Sequence, residues 1–290
     1  TMLVVVRGVR AGLQAFTVLL MPALFVILLL LVGYGLSTGH FNEAFSFMFA
    51  PDFSKITTHS VVVALGHSFF TLSIGMGLIM AYGSYMPENV SIAQTALLVV
   101  AADTTIALLA GLAIYPVVFA NGLEPSAGPG LVFQTLPIAF GQMPLGVLIG
   151  TLFFALLTLA AWTSSISMIE PALAHMVEKR GWTRVRAGVL LGLAAWFVGI
   201  ASVLSFNYWS ELKLFGKTFF ELLDFTTSNI MLPLGGLLIA IFATWMMRRE
   251  SSFDELGMSP RGYALWRTLT RYVAPVGIVV IFLFGLGLIG

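Results

Sequence analysis

One stretch of this 290-residue chain gathers oxygen donors into a single helical turn: TLAAWTSSISM, residues 158–168, carries Thr163, Ser164, Ser165 and Ser167. Hydroxyls and backbone carbonyls are hard ligands of the kind that a small cation such as Na+ takes in groups. Such hydroxyls also bond back to the carbonyl one turn earlier with no ligand involved, and on residue types alone that reading is favoured. Asp103 is a sharper signal. It lies in the apolar run VVAADTTIALL, where a carboxylate costs about 3 kcal/mol on insertion scales and so needs a partner, a cation or water. A third feature is GHSFFTLSIGMG, residues 66–77, with Gly75 and Gly77 just after Thr71 and Ser73 in the middle of an apolar stretch. A helix broken there leaves backbone groups that a cavity or ligand must satisfy. Its free N–H groups suit an anionic carboxylate and its free C=O groups a cation. Close packing of glycine faces between helices explains the same residues. The sequence leaves both readings open.

Other polar residues have blander explanations. His67 could carry protons, but a single intramembrane histidine is read first as a hydrogen-bonded structural residue. Glu170, before Pro171, and Glu178 are read as solvated at the membrane surface. Asp224, with Glu221 one turn before it, lies at the outer end of its stretch, where it reaches water. A membrane-embedded Ser/His/Asp hydrolase is disfavoured, because no G-x-S-x-G elbow and no evident oxyanion donor pair accompany these residues.

The elements that must hold these residues are membrane helices. The chain is 59% hydrophobic and 9% charged, with a mean hydropathy of +0.99, whereas a soluble domain carries roughly a quarter charged residues. A net charge of +1 without a basic cluster argues against a nucleic-acid partner. The absence of cysteine rules out disulfides and thiolate-ligated metals. Crossing the bilayer takes about 20 apolar residues. Seven stretches qualify: 13–37, 60–86, 91–120, 143–170, 187–208, 218–247 and 266–289. The first is too long, and lacks a small-residue cleavage site, to be a signal peptide. The connection 121–142 is too polar to span, yet LVFQTLPIAF keeps a helical pattern and predicts a short helix or hairpin. Residues 249–262 read as a plain soluble loop.

Basic residues in the connections set the orientation. Arg7, Arg10, Lys179, Arg180, Arg184, Arg186, Arg248, Arg249, Arg261, Arg267 and Arg271 fall on one face, against Lys55, Lys213 and Lys217 on the other. The expected N-terminus is cytoplasmic. Thr1 precedes Met2, and VVVRGVR reads like the end of an earlier helix, so an N-terminal part is expected to precede this segment.

ALGHSFFTLSIGMGLIMAYGSY, GPGLVFQTLP and TSSISMIEP, in that order and on those spans, closely resemble the neurotransmitter:sodium symporter family, including bacterial LeuT-like amino-acid transporters. MPALF at 21–25 and PDF at 51–53 extend the resemblance over essentially the whole chain. It implies an all-α polytopic membrane protein in a single transmembrane domain with a LeuT-like inverted-repeat fold. This chain would supply the fifth to eleventh helices, with a discontinuous helix at 60–86. It implies sodium-coupled symport of a small solute, expected to be an amino acid, in a plasma membrane, expected to be a bacterial inner membrane. A symporter-derived chain that no longer transports is the alternative.

By the same resemblance, Phe70, Thr71, Ser73 and Met76 face substrate, with Ser164 and Met168 completing this side of the pocket. One sodium site takes the Ala160 carbonyl and the Thr163 and Ser164 hydroxyls, the other Thr71 and Asp103. Family members often have Asn where Asp103 stands, and balance the sodium charge with chloride or an acid near the position of Ala107. Asp103 is therefore expected to supply that charge itself, with no chloride requirement. Asp224 matches an extracellular gate acid. Glu178, Ser84 and Tyr85 resemble the cytoplasmic gate.

Overall fold

The computed structural model describes residues 1–289 apart from 9–11, 13, 126 and 127. Arg10 and the Ser126–Ala127 pair of the 121–142 connection, both used in the sequence reading, lie outside the described residues. After a short turn at Met2–Val6, the helices are α1 (Ala15–Ser37), α2 (Phe41–Phe49), α3 (Thr58–Thr71), α4 (Leu78–Gly83), α5 (Ile92–Ala120) and α6 (Leu136–Gln142). They continue as α7 (Gly146–Arg180), α8 (Arg184–Leu204), α9 (Phe219–Met246), α10 (Arg249–Leu256) and α11 (Pro260–Gly285). An apolar chain without water must satisfy its backbone internally, and a helix does so locally.

Among the described residues, six helices are long and apolar enough to cross a membrane: α1, α5, α7, α8, α9 and α11. The remaining expected span, 60–86, is α3 and α4, two helices separated by residues 72–77. This is the discontinuity expected there. Helix α7 runs to Arg180, past the expected end at 170, because Pro171 forfeits one hydrogen bond while Leu173 beyond it is fully buried. Helix α8 begins earlier than the expected 187, at Arg184, where the Thr183 side chain accepts from the Arg186 amide at 3.3 Å.

The 249–262 stretch departs most from expectation. It forms α10 and the first turn of α11, not a plain loop. Gly257, at φ +56°, ends α10, and Ser259 caps α11 by accepting from the Gly262 amide at 3.2 Å, with Pro260 at the first helical position. Ser252 and Tyr263 are buried and share a 2.7 Å hydrogen bond. Charge content suggested a loop; the caps and this buried pair decide otherwise.

The chain divides into two compact units. The first comprises residues 1–54 and 102–169. Its core joins Leu28 and Leu31 of α1, Val117 and Val118 of α5, Leu136 and Phe140 of α6, and Phe153 of α7. Gly35 lets α1 approach α5 closely, since a Cβ there would stand 2.9 Å from the Leu112 carbonyl oxygen. The 121–142 connection resolves as a helix in its second half, which buries Leu131, Leu136, Ala139 and Phe140.

The second unit comprises residues 55–101 and 170–290. Here α9 packs along α11, and α3 reaches α11 where a Cβ on Gly66 would meet Ile281 at 3.7 Å.

Candidate ion and substrate site

In the first unit, α7 presents Ala160, Ser164 and Met168 at four-residue spacing, which aligns them on one helix face. Thr163 is buried and its hydroxyl donates to the Ala160 carbonyl at 2.9 Å. The back-bond favoured by residue type is therefore present. It also holds two oxygens of the expected sodium site side by side, and the hydroxyl keeps acceptor lone pairs while donating. Ser165 donates instead to the Trp162 carbonyl at 2.8 Å.

Asp103 of α5 is half-buried. Asp103, Ala160, Thr163 and Ser164 line one half-open cavity of about 500 Å³, whose other walls include Met21, Phe25 and Phe153. Residues expected in two different sodium sites thus meet on one cavity, three oxygen-bearing side chains and one carbonyl against apolar walls. A cation binds most strongly where a carboxylate and neutral oxygens converge away from bulk water. Met168, one turn beyond Ser164, is 55% exposed.

In the second unit, the last turn of α3 closes as a Schellman motif. The Ile74 amide donates to the Phe69 carbonyl at 2.9 Å and the Ser73 amide to the Phe70 carbonyl at 3.0 Å. Ser73 takes the left-handed position at φ +53°, usually filled by glycine. Gly75 and Gly77 follow at φ +91° and +75°, and α4 restarts after Gly77.

The helix is broken at these glycines, and one of them also packs closely. Gly75 lies flush on α9, where a Cβ would run into the backbone of Leu232 and Gly236, and Gly235 in turn faces the Gly75 carbonyl. Gly77 faces open space and serves conformation alone. The break leaves end groups of α3 and α4 at the middle of an apolar stretch, beside the expected substrate residues. Phe70 is 54% exposed, Thr71 exposed, and Ser73 and Met76 half-buried. His67, read first as structural, is exposed.

The residues expected at the cytoplasmic gate lie in different surroundings. Ser84 donates to its own helix at the Ala81 carbonyl, 2.7 Å away, and Glu178 is exposed. Tyr85 donates to Glu170 Oε1 at 3.3 Å. Glu170 is only 1% exposed, and Arg184 places one guanidinium nitrogen 3.0 and 2.7 Å from its two oxygens. The reading of Glu170 as solvated is therefore corrected: α8 starts at Arg184 and brings a cation onto a carboxylate that would otherwise be buried alone. The available signal was an acid inside a helix followed by a cluster of basic residues. Spacing along the chain did not say which of them turns back. Asp224 is exposed and accepts from the Ser228 hydroxyl at 3.1 Å, while Glu221 closes a capping box with Thr218.

A family model described as "Sodium:neurotransmitter symporter family" matches residues 1–289. An uncharacterized sodium-dependent transporter of Bacillus subtilis, YhdH, is 37% identical over 100% of this chain and 65% of its own length. An uncharacterized sodium-dependent transporter of Haemophilus influenzae is 34% identical over 98% of this chain and 63% of its own length. The chain thus spans less than two thirds of these relatives. Among solved structures, MhsT in complex with L-phenylalanine superposes with a TM-score of 0.88 at 37% identity, over 98% of this chain and 65% of that one. The expected all-α, LeuT-like membrane fold with a discontinuous span is borne out by this likeness together with the broken α3–α4 pair. By the match along nearly its whole length, the chain belongs to the sodium:neurotransmitter symporter family, a family of transporters and not of enzymes.

Proposed function

We propose that the protein carrying this chain couples Na+ entry to uptake of an amino acid by alternating access, with the chain acting as part of one transmembrane domain. The observation that carries the reading is the cavity of Asp103, Ala160, Thr163 and Ser164, taken with a helix broken at residues 72–77. One sodium ion takes the Ala160 carbonyl and the Thr163 and Ser164 hydroxyls; Asp103 supplies the negative charge for the other, to which the family resemblance also assigns Thr71. Phe70, Ser73, Met76, Ser164 and Met168 contact substrate, and the open backbone groups of the break hold its charged ends. The L-phenylalanine bound in MhsT supports an amino-acid substrate.

Because Asp103 carries its own charge, transport proceeds without chloride. Asp224 serves the extracellular gate. Tyr85 and Ser84 serve the cytoplasmic gate together with Glu178, and the buried Glu170–Arg184 pair steadies it. The basic connections favour a cytoplasmic N-terminal face, and the bacterial relatives favour a bacterial plasma membrane.

The test is uptake of labelled amino acids by the complete protein in proteoliposomes with an imposed sodium gradient. Uptake should be sodium-dependent, unchanged when gluconate replaces chloride, and lost in Asp103→Ala. Uptake indifferent to sodium and to both Asp103→Ala and Thr163→Ala refutes the ion sites, and a chloride requirement refutes the role given to Asp103.

A further inference from the structure

At the basic end of the second unit two arginines are matched with polar groups. Arg184 bonds to Glu170, and Arg267 donates to the Tyr263 hydroxyl at 2.9 Å and to the Thr244 carbonyl at 2.8 Å. Arg271 lies one turn further along α11, about 6 Å deeper at 1.5 Å per residue. Its Nε is buried without a hydrogen-bond partner, and among the described residues no carboxylate lies within ion-pair reach of it. Glu250, Asp254 and Glu255 of α10 are the acids of this region, and all are exposed.

The guanidinium instead lies over the Trp245 ring, 4.0 Å from its centroid, and 5.6 Å from that of Tyr272. Trp245 is itself exposed, and so are Leu238 and Phe242 of the same helix. These three positions, at four- and three-residue steps, form an apolar stripe leading from Arg271 toward the middle of the span. Among the described residues this charge within a span, held on an aromatic face beside an exposed apolar stripe, has no carboxylate partner. Stacking covers one face of the guanidinium and leaves the in-plane N–H donors of its terminal nitrogens for a phosphate.

We infer that Arg271 and Trp245 form a headgroup site for one anionic phospholipid, whose phosphate accepts from Arg271 and whose acyl chain lies along Leu238 and Phe242. The stripe selects a lipid over free phosphate, because Leu238 and Phe242 offer apolar surface that an acyl chain covers and inorganic phosphate does not. The inference does not depend on the transport reading.

The complete protein, extracted in mild detergent, is titrated with phosphatidylglycerol, with phosphatidylcholine of the same chains, and with inorganic phosphate, and bound molecules are counted by native mass spectrometry. One phosphatidylglycerol should bind about fivefold more tightly than phosphatidylcholine, the contribution of one basic residue near a charged headgroup. Arg271→Gln should abolish that preference. Arg271→Lys, which keeps the charge but not the stacked plane, should lower it about twofold. Arg261→Gln, on an exposed turn, should leave it unchanged. If Arg271→Gln does not fold, the partial loss of preference in Arg271→Lys and in Trp245→Leu decides. A preference undiminished by these substitutions overturns the site, as does inorganic phosphate displacing the lipid at equal concentration.

Discussion

Replacing Gly75 by alanine should destabilise the protein far more than the same change at Gly77, although both glycines sit in the same break with positive φ. At φ +91° and +75° an added Cβ costs roughly 1–2 kcal/mol at either site. Alanine also narrows the unfolded ensemble, returning roughly 0.4–1 kcal/mol in both variants. Gly77 has open space around it, so its net loss is about 1 kcal/mol. At Gly75 the new methyl meets the backbone of Leu232 and Gly236, which cannot rotate away as a side chain would. Forcing atoms into such a contact adds roughly 1–3 kcal/mol, for a total of about 2–4 kcal/mol. The assay is thermal unfolding of the purified complete protein in detergent, both variants side by side with the parent. Equal losses of apparent melting temperature would refute the close approach of the unwound segment to α9. A further consequence is that Gly235→Ala, on the opposing side of that contact, should carry the same clash without the dihedral cost and so lose less than Gly75→Ala.

Glu170→Ala should cost about 3 kcal/mol, less any relief from the partly exposed Arg184, because it strands a cation beside a buried position; chemical denaturation checks it, and a change below about 1 kcal/mol contradicts the pairing. Tyr263→Phe removes the hydroxyl bonded to Ser252, the Arg249 carbonyl and Arg267 and should destabilise by roughly 1–3 kcal/mol, with α10 becoming the first site of limited proteolysis. Thr163→Val keeps the shape but removes an oxygen from the cavity, and should raise the sodium concentration for half-maximal uptake at least several-fold. Thr163→Ser, which keeps the oxygen, should stay near the parent.

Much of the architecture was legible because membrane constraints are local. Span length and apolar run each act within a few residues and foretold the membrane helices, while the glycines after Thr71 and Ser73 made a break possible and the family resemblance made it the expectation, as found at 72–77. The errors fell where local composition misled. Charged residues made 249–262 look like a loop, whereas Gly257 and Ser259 cap helices on either side of a tight turn. Position near a membrane surface made Glu170 look solvated, whereas Arg184 returns from the next helix to cover it.

The sequence by itself determined that this chain lives in a membrane, roughly where it crosses, and which residues carry oxygen, charge or a backbone break. Those properties follow from transfer free energies and from dihedral preferences, which each residue brings with it. Only the tertiary structure decided that Asp103 shares a cavity with Ala160, Thr163 and Ser164, that Gly75 rests on α9, and that Glu170, not Glu178, receives the Tyr85 hydroxyl. Such pairings depend on how helices reverse and rotate against one another, and residues far apart along the chain meet only once their shared apolar faces have packed.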